Sequence, residues 1–219
     1  MYLPHFGLTH FLSESDIPAD EMYVSSAMAE LQTRLDHLIQ LRGIGLLTGN
    51  PGAGKSAGCR KMAAALHTGI YKVIYVPLST ANPMDLYKTI AWELGLPTER
   101  NRAALYKRIR EEVTRLTVDA KIQTVLILDE AQNLRNDVLE ELRLLTNYAM
   151  DSENRLCLLL SGQSELRRRL KMAVHEPLSQ RIVVRFHLPG LTRDELPEYL
   201  NHLTRRAGCE LPLFEPAAF

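Results

Sequence analysis

Several features that mark secreted, disulfide-stabilised or membrane proteins are absent from this sequence. Its 219 residues contain only three cysteines, Cys59, Cys157 and Cys209, which lie far apart and never form a Cys-x-x-Cys pair. That distribution argues against a disulfide framework or a zinc site and is typical of a reducing compartment. The first residues lack the basic stretch and the long apolar run of a signal peptide. No apolar run approaches the roughly 18 residues needed to span a bilayer. We therefore expect a cytoplasmic chain without a membrane segment.

The sequence also lacks an excess of charge of either sign. Lys plus Arg and Asp plus Glu both number 26, so the chain as a whole has no electrostatic preference for nucleic acids or membranes. The charge is unevenly distributed, however, because residues 155–185 contain seven Lys or Arg side chains against two Glu. This segment is a local basic stretch in a chain whose 46% hydrophobic content is ordinary for a soluble globular protein.

Short apolar runs alternate with longer amphipathic runs along most of the chain. The short runs are five to seven residues long and rich in Val, Ile and Leu, which is typical of strands buried on both faces of a parallel sheet. Their alternation with helical patterns predicts an α/β fold in which helices cover both faces of the sheet. The predicted strands are 44–48, 72–77, 124–128, 156–160 and 182–188, and the predicted helices are 22–41, 55–68, 83–95, 101–118, 134–149, 164–171 and 193–206.

The predicted helix 83–95 has clear start and stop signals. Asn82 is a suitable N-cap, Pro83 is suited to the first helical position, and Gly95 is suited to the end. Within this helix we expect Trp92 to pack into the core.

The segment from Gly49 to Ser56 has the sequence Gly-Asn-Pro-Gly-Ala-Gly-Lys-Ser, and it follows a predicted strand and opens a predicted helix. In that context G-x-x-x-x-G-K-[ST] is a phosphate-binding loop, or P-loop, in which backbone N–H groups and the helix N-terminus face the phosphates. Lys55 would place its charge near the β- and γ-phosphates, and the Ser56 hydroxyl would be a magnesium ligand. We therefore predict ATP and magnesium as cofactors. The predicted nucleotide-binding residues are Gly49, Asn50, Pro51, Gly52, Ala53, Gly54, Lys55, Ser56 and Ala57.

Two consecutive carboxylates, Asp129 and Glu130, follow the predicted strand 124–128. Ligands of open α/β sheets bind at the carboxyl ends of the strands, so both side chains are expected near the P-loop. We predict that Asp129 holds magnesium and that Glu130 is the catalytic base that activates water. No Asn-Lys-x-Asp string occurs, which favours ATP over GTP.

A polar stretch, Ser161-Gly162-Gln163-Ser164, follows the predicted strand 156–160. A side chain there can reach between the γ-phosphate and the attacking water, and Gln163 is our first choice and Ser161 the second. The alternative is a plain turn in which Ser164 caps the next helix.

Arg181 comes directly before the last predicted strand. It could neutralise γ-phosphate charge in a neighbouring subunit, or it could be a surface arginine or part of a structural ion pair. The sequence alone favours neither.

Taken together, these motifs resemble the AAA+ ATPases and, more narrowly, the ExeA/TniB-type group of bacterial ATPases, over nearly the whole chain. The P-loop and the Asp-Glu strand occur in many ATPases, whereas the contexts of Ala131-Gln132 and Gly162-Gln163 narrow the group. The stretches that carry the resemblance are 6–11, 43–56, 129–134, 142–147, 162–166 and 178–182.

The resemblance implies a P-loop NTPase fold, with a five-stranded parallel AAA+ core flanked by helices and a small helical lid. It implies ATP bound between the subunits of a ring or filament, with Gln163 as the sensor and Arg181 as the residue that acts in trans. Residues 1–190 are then the nucleotide-binding domain, of which 1–41 form an N-terminal segment and helix. Residues 191–219 begin the lid, which we expect to be incomplete because the family's lid continues past the position of Phe219.

The resemblance also implies an ATPase that works in one of two settings. One is a DNA-binding regulator of transposition that acts with double-stranded DNA and a transposase. The other is a secretion or pilus assembly ATPase of the ExeA type. The basic stretch agrees with the first setting, although for any one of its residues a solvated helix face is the simpler explanation. The candidate phosphate contacts are Arg167, Arg168, Arg169 and Lys171, and the candidate adenine contacts, for which plain core packing is the alternative, are Phe6, Leu8 and Phe11.

Overall fold

The protein forms a five-stranded parallel sheet with helices on both faces. The computed structural model describes residues 2–12, 17–77, 82–209 and 213–214. Each strand pairs in parallel with its neighbours in the order β2-β3-β4-β1-β5, which confirms the predicted α/β fold class. The strands are β1 (Ile44–Gly49), β2 (Tyr71–Pro77), β3 (Gln123–Asp129), β4 (Leu156–Gly162) and β5 (Ile182–Leu188).

Helices connect the strands as predicted, and most of them are shorter than the sequence pattern suggests. The helix predicted over 22–41 begins at Ser26, after the N-cap Ser25, whose side chain accepts a hydrogen bond from the Met28 N–H. The helices are α1 (Tyr2–His5), α2 (Ser26–Leu41), α3 (Lys55–Ala65), α4 (Pro83–Leu94), α5 (Arg102–Val118), α6 (Asn136–Leu145), α7 (Ser164–Arg169), α8 (Glu176–Gln180) and α9 (Leu196–Arg206).

Helix α4 shows the predicted caps and one wrong prediction. The Asn82 side chain accepts a hydrogen bond from the Asp85 N–H, and Gly95 ends the helix at a φ of 76°. Trp92, however, is 62% exposed. It points away from the sheet because Leu86 and Ile90 form the buried face on the opposite side of the helix.

The sheet separates two hydrophobic layers. One layer packs α4 to α8 on one face, and the other packs α2 and α3 on the opposite face. The central strands β1, β3 and β4 are buried at every position, as predicted. The prediction of two-sided burial is wrong for β2 and β5, because the strand order puts both at the sheet edges, where one face is only partly covered.

Residues near the two ends of the described chain pack together. Thr9 donates its N–H to the Ala207 carbonyl at 2.7 Å, and Leu8 packs against Ala207 and Cys209. Thr192 and Glu195 form the reciprocal hydrogen bonds of a capping box, but regular helix begins only at Leu196. The division at residues 190/191 into a nucleotide-binding domain and a lid stays a prediction, and residues 215–219 lie outside the described residues.

Candidate active site

The P-loop connects the carboxyl end of β1 to the start of α3. Gly52 and Gly54 have φ angles of 78° and 95°, in the left-handed region that favours glycine. At Gly49 a Cβ atom would lie 2.7 Å from the carbonyl oxygen of Leu188, so a side chain cannot fit there. These glycines allow the loop to turn tightly beside the end of β5.

Lys55 lies inside this loop with only 6% of its surface exposed. Its ammonium group donates to the carbonyls of Gly49 at 3.1 Å and Asn50 at 3.0 Å. In the described part of the chain no carboxylate forms an ion pair with it. A buried cation needs a compensating charge, and an anion bound in the loop would provide it.

Asp129, at the end of β3, is the hydrogen-bonding centre of the site. Ser56 and Tyr75 donate their hydroxyls to its Oδ2 at 2.7 and 3.0 Å, and Ser161 and the Glu130 N–H donate to its Oδ1 at 2.8 and 3.0 Å. Burial acts to raise the pKa of Asp129, but these donors together outweigh it and hold the pKa below its ordinary value. The carboxylate is therefore ionised and fixed in orientation.

Glu130 is held apart from Asp129 by its backbone. Its φ of 51° is in the left-handed region, which turns its side chain out of the strand direction. Gln132 donates its amide to Glu130 Oε2 at 2.6 Å and accepts the Gln163 N–H on its Oε1 at 2.9 Å. The two neighbouring carboxylates therefore have different surroundings, and each has its own partners.

Sequence reasoning did not select Gln132 or Tyr75 as site residues. The one signal in the sequence is the position of Gln132 three residues after Asp129, because its closeness to the Gly162-Gln163 turn arises only in the fold. A Cβ on Gly162 would lie 2.7 Å from the Gln132 amide oxygen, so that glycine makes room for Gln132. Tyr75 is on the edge strand β2, and no signal in the sequence distinguishes its hydroxyl from those of other strand tyrosines.

The end of β4 places both sensor candidates at the site in different ways. Ser161 contacts Asp129 directly, whereas Gln163 is the N-cap of α7 and contacts Gln132 through its backbone N–H. The alternative in which Ser164 caps that helix is wrong, because Ser164 is already its first helical residue and its hydroxyl faces Asn50 Oδ1 at 3.4 Å. Which side chain senses nucleotide stays a prediction.

Arg181 lies far from the P-loop of its own chain. It precedes β5, so it is at the amino edge of the sheet, about 20 Å from the carboxyl edge for strands of this length. Its guanidinium donates to the Arg143 carbonyl at 3.0 Å and pairs with Asp151. These contacts agree with the alternative of a structural ion pair, and the role of Arg181 in trans stays a prediction.

These residues fit ATP with magnesium. Hydroxyl and carboxylate oxygens are the ligands that magnesium prefers, and the Ser56 hydroxyl and Asp129 carboxylate lie 2.7 Å apart. The uncompensated Lys55 charge and the glycine-rich loop fit the phosphates. Magnesium, when bound, would neutralise phosphate charge as the bond to the leaving group breaks.

Comparison with known proteins agrees with this geometry. Residues 37–170, more than half of the chain, match a family model described as AAA domain. The chain belongs to the AAA domain family. As a member, it is a P-loop ATPase of the AAA+ type, which confirms the family, fold-class and enzyme predictions.

Relatives of this AAA domain protein include two of different function. The whole chain is 32% identical to General secretion pathway protein A of Aeromonas hydrophila and covers 40% of it. Over 140 residues, 63% of the chain, it is 26% identical to the ATP-dependent target DNA activator B of Escherichia phage Mu and covers 42% of it. The chain therefore spans less than half the length of either relative.

Among solved structures, Cdc6p of Pyrobaculum aerophilum has a TM-score of 0.69 to the chain. The match covers 89% of this chain and 52% of Cdc6p, at 21% identity, and it shows the shared fold alone. In the described ranges no helix is long and apolar enough to cross a membrane.

Proposed function

We propose that this AAA+ ATPase hydrolyses ATP at the interface between two copies of the chain and uses that cycle to control binding to double-stranded DNA, as a cytoplasmic regulator of transposition that acts with a transposase. The observation that supports the DNA-binding part is a set of unpaired cations next to the nucleotide site. The name of the phage Mu relative, an ATP-dependent target DNA activator, supports the same setting.

The contacts of each side chain support the proposed hydrolytic roles. Lys55 and the loop N–H groups hold the phosphates, and Ser56 and Asp129 hold magnesium. Glu130 accepts a proton from the attacking water, and Gln132 keeps its carboxylate oriented through the 2.6 Å hydrogen bond. Because Gln132 also accepts a hydrogen bond from the Gln163 N–H, Glu130 and the Gly162-Gln163 turn are connected through one side chain.

Arg181 completes the site of a neighbouring copy, so a ring or filament is the active form. This proposal is supported by the position of Arg181 at the sheet edge opposite its own P-loop. An arginine supplied from a second molecule stabilises transition-state charge and makes hydrolysis depend on assembly.

The cations after β4 divide into two kinds. Arg169 is structural, since its guanidinium donates to the carbonyls of Gln132 and Leu134 at 2.5 and 2.7 Å. Within the described residues, Arg167, Arg168 and Lys171 have neither a carboxylate nor a hydrogen-bond partner for their side chains. Unpaired cations beside a nucleotide site are available for the phosphates of a nucleic acid.

The test is binding of a fluorescent DNA duplex, followed by anisotropy over a series of salt concentrations, with a non-hydrolysable ATP analogue, with ADP, and without nucleotide. We expect the tightest binding with the ATP analogue and a steep loss of affinity with salt. Absence of binding in every nucleotide state at low salt would sink the DNA-binding proposal while leaving the ATPase assignment intact.

A secretion or pilus assembly ATPase is the second candidate. The observation that favours it is the higher identity, 32% over the whole chain, to General secretion pathway protein A. The neighbouring genes distinguish the two candidates. A transposase gene beside this one supports the first proposal, and secretion genes support the second.

A further inference from the structure

A cleft of about 350 Å³ lies between α7 and β5, and its polar lining is almost entirely basic. We call it the α7–β5 cleft. Arg167 and Lys171 contribute from α7 and the turn after it, and Arg185 and His187 contribute from β5. No carboxylate is among the described residues that line it. The two guanidinium groups and the ammonium group around this cleft repel one another without a counter-charge, and a bound anion would relieve that repulsion.

Two of the four basic groups are held in place by neighbouring residues. Arg185 donates its guanidinium to the carbonyl and, at 3.3 Å, to the hydroxyl of Ser179. His187 Nδ1 lies 3.1 Å from the Thr48 hydroxyl. Both side chains come from the edge strand, on the opposite face from Val184 and Leu188, which pack into the core.

The other two basic groups have no partners among the described residues. Arg167 and Lys171 have no side-chain hydrogen bond or ion pair, although Arg169 between them donates to two carbonyls and to Asn136. The same segment therefore has one arginine committed to the fold and two cations that line the cleft and are free to bind an anion.

Helix α7 also connects the cleft to the nucleotide site. Its first residue, Ser164, faces Asn50 of the P-loop, and its N-cap, Gln163, is held by Gln132, the residue that orients Glu130. Arg167 is one helical turn beyond Gln163. If the Gly162-Gln163 turn takes different positions with and without the γ-phosphate, Arg167 would move with it.

We propose that the α7–β5 cleft binds phosphate groups of a nucleic-acid backbone, and that the bound nucleotide sets its affinity through α7. Guanidinium groups match phosphate oxygens with two parallel hydrogen bonds, and the cleft offers two of them beside an ammonium group. The inference rests on the proposed DNA-binding function and names the surface that performs it. An acidic segment of a second copy is the competing occupant.

The experiment compares single substitutions on the full chain with the ATP analogue bound. Lys171→Gln and Arg185→Gln each remove one cleft cation, and Lys72→Gln removes an exposed charge from the opposite edge strand, β2. We expect each cleft variant to lower the slope of log affinity against log salt by about one and to weaken binding by up to about tenfold near 0.1 M salt. Lys72→Gln should keep the wild-type slope.

Further variants protect the test against misfolding and general charge effects. Arg185→Lys keeps a charge in the cleft and should retain most of the slope, and a melting curve shows whether each variant is folded. Arg168→Gln removes a cation of α7 that does not line the cleft. If Arg168→Gln or Lys72→Gln lowers the salt slope and the DNA affinity as much as the cleft variants do, the effect is one of general charge and the assignment is overturned.

The outcomes also separate this inference from the proposed function. If wild-type protein binds no DNA, the proposed function fails and the cleft assignment fails with it. If wild-type protein binds DNA and Lys171→Gln and Arg185→Gln keep its slope, only the cleft is wrong. If these variants keep the slope but lose self-association in light scattering, the cleft takes a second copy, which also overturns the proposal.

The link to the nucleotide has its own test. Ser164→Ala removes the contact of α7 with Asn50. We expect it to narrow the difference in DNA affinity between the ATP-analogue and ADP states. An unchanged difference would overturn the coupling through α7.

Discussion

The two edges of the sheet differ in how deeply their charged groups are buried. At the carboxyl edge, Asp129 is 3% exposed and accepts four hydrogen bonds, and Lys55 is 6% exposed. At the amino edge, Arg181 pairs with Asp151, a side chain that is 50% exposed. The carboxyl edge therefore has buried charged groups with fixed hydrogen bonds, whereas the amino edge has an arginine whose carboxylate partner is half exposed.

The partner of Arg181 is also strained. Ala149, Met150 and Asp151 have φ angles of 47°, 55° and 67°, three consecutive non-glycine residues in the left-handed region. Each such residue costs on the order of 1 kcal/mol, and Met150 is 97% exposed, so packing of its side chain does not offset the cost. The ion pair of Arg181 is therefore built on a strained turn, which would favour its release under the proposed role of Arg181 in trans.

Lys55→Ala should have the largest effect, because it removes the charge at the centre of the carboxyl edge. We expect nucleotide affinity to fall below detection in calorimetry, with turnover lost as a consequence. Lys61→Ala is the matched control, since Lys61 is on the same helix and its ammonium group donates to the Ala19 carbonyl at 2.9 Å. Unaltered affinity for ATP would contradict the P-loop assignment.

Glu130→Gln tests whether the two carboxylates at that edge have separate roles. We expect ATP binding to be retained and turnover to fall by about 10²- to 10⁴-fold, the usual contribution of a positioned general base. Steady-state turnover and ATP affinity are measured on the same sample. Turnover that stays at the wild-type rate would remove Glu130 from the mechanism.

Mixing two inactive variants tests whether the amino edge serves a different molecule. Arg181→Ala and Glu130→Gln should each have low turnover alone. In a mixture, a Glu130→Gln subunit would supply its intact Arg181 to the intact Glu130 of an Arg181→Ala subunit. We expect the mixture to regain a substantial fraction of wild-type turnover. A mixture no more active than its components would argue against the role in trans.

Tyr75→Phe tests a single donor at the carboxyl edge. Removing the hydroxyl that donates to Asp129 at 3.0 Å should raise the magnesium concentration needed for half-maximal turnover by about two- to tenfold, since one hydrogen bond contributes about 0.5–1.5 kcal/mol. Calorimetry of the ATP analogue with increasing magnesium gives an independent measurement. Tyr71→Phe, on the same strand and face, is the control. An equal increase in the magnesium requirement of that variant would mean that Tyr75 has no specific role.

Asp151→Asn should have the smallest effect and the opposite sign. It weakens the ion pair that competes for Arg181, so turnover should rise, by less than about fivefold, because a partly exposed pair contributes at most about 1 kcal/mol. Asp137→Asn, which breaks the exposed pair with Arg135, is the control. A decrease would mean that Asp151 positions Arg181 for its neighbour instead of competing for it.

The comparison of edges also shows what sequence can predict. The P-loop and the Asp129-Glu130 pair are motifs of neighbouring residues, so the sequence alone reveals them. Both lie at the carboxyl edge, where the topology of a parallel sheet places them. The sequence could not predict that Arg185 and His187 lie beside Arg167, because the strand order and the uncovered face of β5 bring them together. The prediction that Trp92 is buried is wrong because it followed residue type alone. The buried residues of α4 lie on the opposite side of the helix, so Trp92 faces solvent.

Strand β5 connects the two edges physically. Arg181 immediately precedes it, and Leu188 at its far end pairs in register with Gly49, close enough to exclude a side chain there. A hydrogen-bonded strand of seven residues is a rod of about 23 Å that hardly stretches. Under the proposed assembly, a pull on Arg181 by the neighbour's nucleotide would be transmitted along this rod to the loop that grips the chain's own nucleotide. Nucleotide binding in one subunit would then be coupled mechanically to nucleotide binding in the next. The order in which the subunits hydrolyse ATP would depend on the sheet itself.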